Sequence, residues 1–241
     1  MNPARFFVSQ KIPEGSSVIT LADASAVHQI KNVLRKKEGG EIILLDNSGY
    51  EYLCIISGFT KTTVELELIE RILNGNEPLT RVTLYQSIVK KDKMEWVFEK
   101  CTEIGVAAFV PVLSEHSVKL GMNAMRAQKI IQEAAEQSRR GLVPVLSGVI
   151  SFSEALVRAT QHNNALNILA HNNEKLPHVN KVLADNSAAA INLFIGPEGG
   201  FSEAELQAAR SRSFTLATLG KRTLRSETAA VAASLFTISY I

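Results

Sequence analysis

Ile195-Gly196-Pro197-Glu198-Gly199-Gly200-Phe201-Ser202-Glu203-Ala204-Glu205-Leu206 is the stretch whose reading decides the fold. Before it, Ile191-Asn192-Leu193-Phe194-Ile195 is mostly apolar and reads as a short strand covered on both faces. After its glycines a helix begins with agreeing signals. Ser202 suits an N-cap, Glu205 closes a capping box, and Phe201 and Leu206 are spaced as a hydrophobic staple. The plan then repeats. Ser213 to Leu219 reads as a strand, Leu219-Gly220-Lys221-Arg222-Thr223-Leu224-Arg225 as a loop, and Ser226 as the cap of a helix running toward Tyr240. Two such units side by side make a crevice beyond the carboxyl ends of parallel strands, where open α/β sheets bind ligands.

Upstream, from about residue 80, strand and helix periodicities alternate as in an α/β domain. Val82 to Gln86 reads as a strand. A helix follows, capped by Asp92 with Glu95, apolar on Met94, Val97, Phe98, Cys101 and Ile104, and stopped by Gly105. Ala107 to Leu113 is a buried strand. Asn123 caps a helix ending near Arg139-Arg140-Gly141, Ser151 and Glu154 box a short helix, and Ala165 to Ala170 is a further strand. The first seventy residues are different. Arg5 to Val8, Glu41 to Leu45, Tyr50 to Ile56 and the alternating Val64, Leu66, Leu68 suggest a small barrel, with a hairpin at Asp46-Asn47-Ser48-Gly49. Asp23 caps a helix whose expected apolar face is Val27, Ile30, Val33 and Leu34. Asn74-Gly75-Asn76-Glu77-Pro78 breaks both patterns, so the boundary is placed there, giving domains 1–74 and 75–241.

With 241 residues, 46% of them hydrophobic, the chain can bury a real core. A net charge of only +2 means that any contact with nucleic acid must come from local clusters. One such cluster is His28, Lys31, Arg35, Lys36 and Lys37, which is either a phosphate-neutralising surface or a solvated helix face. Two cysteines and five histidines without ligand spacing give no disulfide framework and no metal site. GxSxG and Walker patterns are missing as well. No apolar run reaches about 18 residues and no signal segment opens the chain, so the expectation is a soluble, cytoplasmic protein without a membrane partner.

IGPEGGFSEAEL (195–206) and LGKRTLRSETAA (219–230), together and in this order, resemble the signature of the SPOUT-class methyltransferases that modify uridine N3 in small-subunit (16S) ribosomal RNA. KKDKMEWVFEKCTEIGV (90–106), EAAEQS (133–138) and HQIKNVLR (28–35) extend the resemblance over nearly the whole chain. The resemblance implies a trefoil-knotted parallel sheet with helices on both faces, preceded by a PUA-like β-barrel that holds RNA. It implies S-adenosylmethionine (AdoMet) as the cofactor, bent among loops at Leu169-Ala170-His171, Ile195-Gly196-Pro197-Gly199-Gly200 and Leu219-Gly220-Leu224-Ser226. It implies RNA contacts at Arg5, His28 and Arg35; Lys31 and Lys36 join them from the cluster, and Arg139 and Arg140 from the helix end. Arg139 stands where the family usually has glycine. The expected partners are ribosomal RNA or the assembled 30S particle, and a second copy of the chain packed on the apolar final helix.

Methyl transfer from a sulfonium needs chiefly the positioning of donor and acceptor. Uridine N3 must also lose a proton, and Arg225 is the candidate for stabilising the negative charge that develops on the uracil. It can equally be a salt-bridge partner of Glu227. Glu198 and Glu227 are the candidate bases, set against simpler roles: Glu198 ordering its loop, and Glu227 favouring the helix dipole.

Overall fold

The computed structural model describes residues 3–118, 121–161, 164–186 and 188–239, so His162 and Tyr240, toward which the last helix is expected to run, lie outside the described residues. The chain divides into two compact units. One comprises residues 1–77 with 135–143, and the other residues 78–134 with 144–241.

The larger unit is built on a seven-stranded sheet whose pairings are all parallel. Within it lie β6 (Arg81–Ser87), β7 (Ala108–Leu113), β8 (Val145–Leu146), β9 (Ile150–Ser151), β10 (Ala165–Ala170), β11 (Ala190–Ile195) and β12 (Thr215–Ala217). The order is β12-β10-β11-β6-β7-β8, with β9 also pairing β7. Thus β11 is inserted between β6 and β10, and the order of the strands in space departs from their order in sequence there. The strands are apolar nearly throughout because helices cover both faces. On one face α4 (Phe152–Thr160) and α6 (Glu203–Arg210) pack over Tyr85, Val110, Leu169, Phe194 and Leu216. The rings of Tyr85 and Phe194 stack at 4.2 Å, and Phe214 meets Phe194 edge-on at 5.0 Å. Elsewhere α2 (Lys91–Ile104) and α5 (Val179–Ala184) pack against α7 (Ser226–Ile238), which also lies on β6 and β11.

Helix boundaries follow local chemistry where that chemistry is complete. Ser151 and Ser202 each form a full capping box, with Glu154 and Glu205. Asn123 Oδ1 accepts from Arg126 N at 3.0 Å at the start of α3 (Ala124–Gln137). Gly105 ends α2 with φ 116°. Two expected caps are corrected. The N-cap of α2 is Lys90 rather than Asp92, which sits in the first turn, and Glu95 binds Arg126 at 2.5 Å and 2.8 Å instead of closing a box. The N-cap of α7 is Arg225, because the Ser226 hydroxyl is committed elsewhere.

The smaller unit carries a mostly antiparallel five-stranded sheet in the order β1-β3-β4-β5-β2. These are β1 (Ala4–Phe7), β2 (Val18–Leu21), β3 (Glu41–Leu45), β4 (Tyr50–Phe59) and β5 (Val64–Leu73), with α1 (Ala24–His28) after β2. Phe6, Leu21, Ile30, Ile42, Leu44, Ile56 and Leu66 make its core. The other face of β1 and β3 is covered by Ala135 and Val143, which pack on Phe7, Ile43, Leu45 and Leu53. Segment 135–143 therefore clusters with this unit although it lies well past residue 74 in the sequence. Asp23 caps α1 as expected. A π-helical turn at Gln29–Val33 then replaces the α-helical continuation, with Leu34 N donating to Gln29 O. The wider turn changes the helical register, so Val33 and Leu34 are 61% and 43% exposed instead of joining the core.

Candidate functional site

The carboxyl ends of β10, β11 and β12 open onto a cleft of about 290 Å³. Ala170 to Asn172 form one wall, Ile195 to Phe201 a second and Thr218 to Leu224 a third, with Ser226 and Ala229 of α7 completing the lining. Hydrogen bonds tie these loops together. His171 N donates to Ala217 O at 2.9 Å, and Asn172 Nδ2 donates to Thr223 Oγ1 at 2.7 Å. Ser226 Oγ donates to the Gly196 carbonyl at 2.6 Å while accepting from Gln86 Nε2 at 2.9 Å.

The glycines have separate reasons. A Cβ on Gly199 would stand 3.0 Å from the Cβ of His116, whose Nδ1–H supports the loop through the Gly200 carbonyl at 3.1 Å. Gly220 has φ 122° and nothing within 4 Å of the place a Cβ would occupy, so bare backbone faces open space there.

Charge gathers beside the cleft. Lys93, in the first turn of α2, places Nζ 3.0 Å from Glu198 Oε1 and 3.7 Å from Glu227 Oε1. Burial pushes the Glu198 carboxyl up, but its hydrogen bonds to Lys93 and to its own backbone, with the charges of Lys93 and Lys90, hold it below the usual value. Lys93 is raised, chiefly by the hydrogen bond to Glu198. Burial lowers His171, with Arg210 adding to the effect, so its imidazole is neutral near pH 7.

Every residue expected at the cofactor lines this cleft except Leu169, which is fully buried in the core beneath it. Glu198 lines the cleft, whereas Arg225 and Glu227 lie outside its lining. The Arg225 side chain is exposed and forms no hydrogen bond or ion pair with a described residue, although its carbonyl accepts from Ala229 N at 2.8 Å. The anticipated Arg225–Glu227 salt bridge is replaced by Lys93–Glu227. Lys93, Gln86, Asn172 and Thr223 were not singled out from the sequence. Lys93 does stand in the 90–106 stretch, but nothing local says which of its lysines reaches the loops.

Of the residues expected to touch RNA, His28 and Arg35 are exposed, with His28 Nδ1 2.9 Å from Asn32 Nδ2. Lys31 lies 5.5 Å over the Phe59 ring and donates to Thr60 O. Lys36 donates to Glu41 O at 3.3 Å. Arg139 is exposed, and its φ of 62° is one that glycine adopts more readily than a residue with a side chain. Two residues do not suit the role. Arg140 has a side chain only 4% exposed and is held by Glu77 at 2.7 Å and 3.2 Å. Arg5 is 14% exposed and paired with Glu51 at 3.3 Å. Among the described residues there is no cluster of three or more His, Cys, Asp or Glu able to hold a metal, and no helix long and apolar enough to cross a membrane.

The RNA methyltransferase domain profile matches residues 76–237, and the RNA methyltransferase PUA domain profile matches residues 22–69. The ribosomal RNA small subunit methyltransferase E of Bacillus subtilis is 34% identical, with 89% of this chain and 87% of that protein aligned. The Rickettsia conorii protein of the same name is 30% identical over 95% of this chain and 92% of its own. The crystal structure of the Neisseria gonorrhoeae ribosomal RNA small subunit methyltransferase E bound to S-adenosyl methionine superposes with a TM-score of 0.85. It shares 32% identity, covering 97% of this chain and 95% of that one. With both profiles in sequence order and the cleft formed by the loops that carry the motifs, the chain belongs to the RNA methyltransferase family that contains ribosomal RNA small subunit methyltransferase E.

Proposed function

We propose that this protein transfers the methyl group of AdoMet to N3 of a uridine in small-subunit ribosomal RNA, as free RNA or within the assembled subunit. The observation that carries this reading is the cleft walled by the two glycine loops and the end of β10. At about 290 Å³ it stands at the small end of ligand pockets, which run from roughly 300 to 1,000 Å³. Ile195, Leu219, Leu224 and Ala229 offer apolar walls to an adenine ring. The backbone of Gly196, Gly199, Gly200 and Gly220 leaves carbonyl and N–H groups for the polar ends of the molecule. When bound, AdoMet supplies a methyl group already activated on sulfur.

The chain's own residues then position the uracil and manage its charge. Arg225, exposed and unpaired, is available to the uracil oxygens as N3 loses its proton. Glu198, bound to Lys93 and held below the usual carboxylate value, is a weak base. Glu227 is the second candidate, with Oε1 3.7 Å from Lys93 and Oε2 without a hydrogen-bond partner among the described residues.

Residues 1–74 serve as the RNA-holding domain and 75–241 as the catalytic domain, with His28, Lys31, Arg35, Lys36 and Arg139 facing phosphate. The insertion of β11 between β6 and β10, and the return of α7 to Gln86 and Gly196 through Ser226, support a trefoil knot. Leu235, 50% exposed on apolar α7, and Trp96, 40% exposed on neighbouring α2, support a homodimer through this helix. The enzyme works in the cytoplasm, where ribosomal subunits mature.

The test is direct. Titration with AdoMet in the presence of a chelator should give saturable heat. Mass mapping of small-subunit RNA from cells lacking the protein should show one uridine without its N3 methyl group. No heat from a folded protein, or an unchanged RNA map, would overturn the proposal.

A further inference from the structure

We infer that Lys93 is a positioning residue whose ammonium occupies Glu198 and Glu227, so that the guanidinium of Arg225 stays unpaired for the RNA substrate. The inference rests on the methyltransferase reading only for the use to which a free Arg225 is put.

Arg225 is the N-cap of α7 and Glu227 lies in its first turn, so a cation and an acceptor sit at one helix end. A guanidinium fork can hold a carboxylate through two parallel hydrogen bonds, so the two groups are potential partners. The structure shows another arrangement. Lys93 Nζ, reaching over from α2, is 3.0 Å from Glu198 and 3.7 Å from Glu227. An ammonium is a compact point charge with three donors, and it can serve two carboxylates at once. Arg225 is near enough for its charge to oppose that of Lys93, yet it makes no ion pair of its own. Glu227 Oε2, buried and without a partner among the described residues, is the acceptor that would take a guanidinium if Lys93 withdrew. Glu198, on the glycine loop, would compete for it. The three side chains are 23%, 36% and 13% exposed for Lys93, Glu198 and Glu227, so their exchange needs no unfolding.

A role limited to bracing α2 against the loop would not alter the state of Arg225, and that difference defines the experiment. The full-length protein, without AdoMet or RNA, is treated with phenylglyoxal, and modification of Arg225 is followed by peptide mass spectrometry. Exposed Arg212 serves as the internal reference. Arg225 should react freely in the wild type and in Lys93→Arg. In Lys93→Met it should slow by about twofold to fivefold, the factor expected when a partly exposed ion pair forms. Adding Glu198→Gln and Glu227→Gln to Lys93→Met should restore the wild-type rate. Should Lys93→Met fold poorly by circular dichroism, Lys93→Gln carries the same forecast. Unchanged reactivity in a folded Lys93 variant, or slowing that persists once both carboxylates are removed, overturns the inference. Because neither AdoMet nor RNA enters the assay, its outcome is separate from that of the methyltransferase reading.

Discussion

Ser226 Oγ donates a 2.6 Å hydrogen bond to the carbonyl of Gly196, joining two residues 30 apart in sequence. The same oxygen accepts from Gln86 Nε2, so the start of α7, the first glycine loop and the end of β6 meet at one hydroxyl. Ser226→Ala removes both bonds and leaves a buried amide with one partner fewer. The expected loss is about 1–2 kcal/mol of stability, a fall of a few degrees in Tm. AdoMet affinity should fall about tenfold, because Gly196 lines the cleft. Thermal melts and calorimetry on the variant check both, and an unchanged affinity would mean the loop holds its shape without this bond.

Gly220 should be intolerant of a β-branched side chain. At φ 122° such a residue carries a backbone strain of order 1–3 kcal/mol, and its methyl groups would enter the cleft. Gly220→Val should abolish AdoMet binding by calorimetry while the protein remains folded by circular dichroism. Retained affinity would show that this loop does not approach the cofactor.

Arg225→Ala should separate chemistry from binding. Since Arg225 has no ion pair with a described residue, its loss should leave Tm and AdoMet affinity nearly unchanged. Single-turnover methylation should drop by roughly a hundredfold or more, the range for a lost oxyanion donor. Arg225→Lys should recover little, because an ammonium lacks the planar fork. A rate that falls only in step with lost cofactor binding would remove Arg225 from the chemistry.

Arg139 and Arg140, adjacent in sequence, should behave in opposite ways. Arg140→Ala leaves Glu77 partly buried and without its cation, which should cost about 2–4 kcal/mol in denaturant unfolding. Arg139 sits at φ 62°, where an L side chain is strained by about 1–2 kcal/mol. Arg139→Gly should therefore be neutral or stabilising by up to about 1 kcal/mol, while RNA affinity falls modestly through the lost charge. Destabilisation by Arg139→Gly would show that its side chain packs in a way the exposed position does not suggest.

Much of the larger unit was legible because its signals are local. The start of α6 rests on Ser202, Glu205, Phe201 and Leu206, all within six residues, and the box forms as read. The apolar strands at Ala165–Ala170 and Ala190–Ile195 declare themselves because helices cover both faces. The two loops that line the cleft were legible for the same reason, since each follows a strand and precedes a helix. Local reading failed where a local pattern had more than one outcome. Val33 and Leu34 fit an α-helical stripe, but the π turn at Gln29–Val33 carries them to the surface. Asp92 is a good cap by type, yet the chain enters α2 at Lys90.

The sequence by itself therefore determined the strand–loop–helix units, the caps at Ser151 and Ser202, and the glycine loops, because each depends on residues within a turn or two of one another. Only the tertiary structure decided which charges are free. Arg5 is taken by Glu51 across 46 residues, Arg140 by Glu77 across 63, and Lys93 by Glu198 across 105. Such pairs leave no periodic trace in the chain, because they form only after folding has brought distant segments together. That is why Arg5 and Arg140 resembled open RNA contacts in the sequence, and why Lys93 was not singled out beside Glu198 and Glu227.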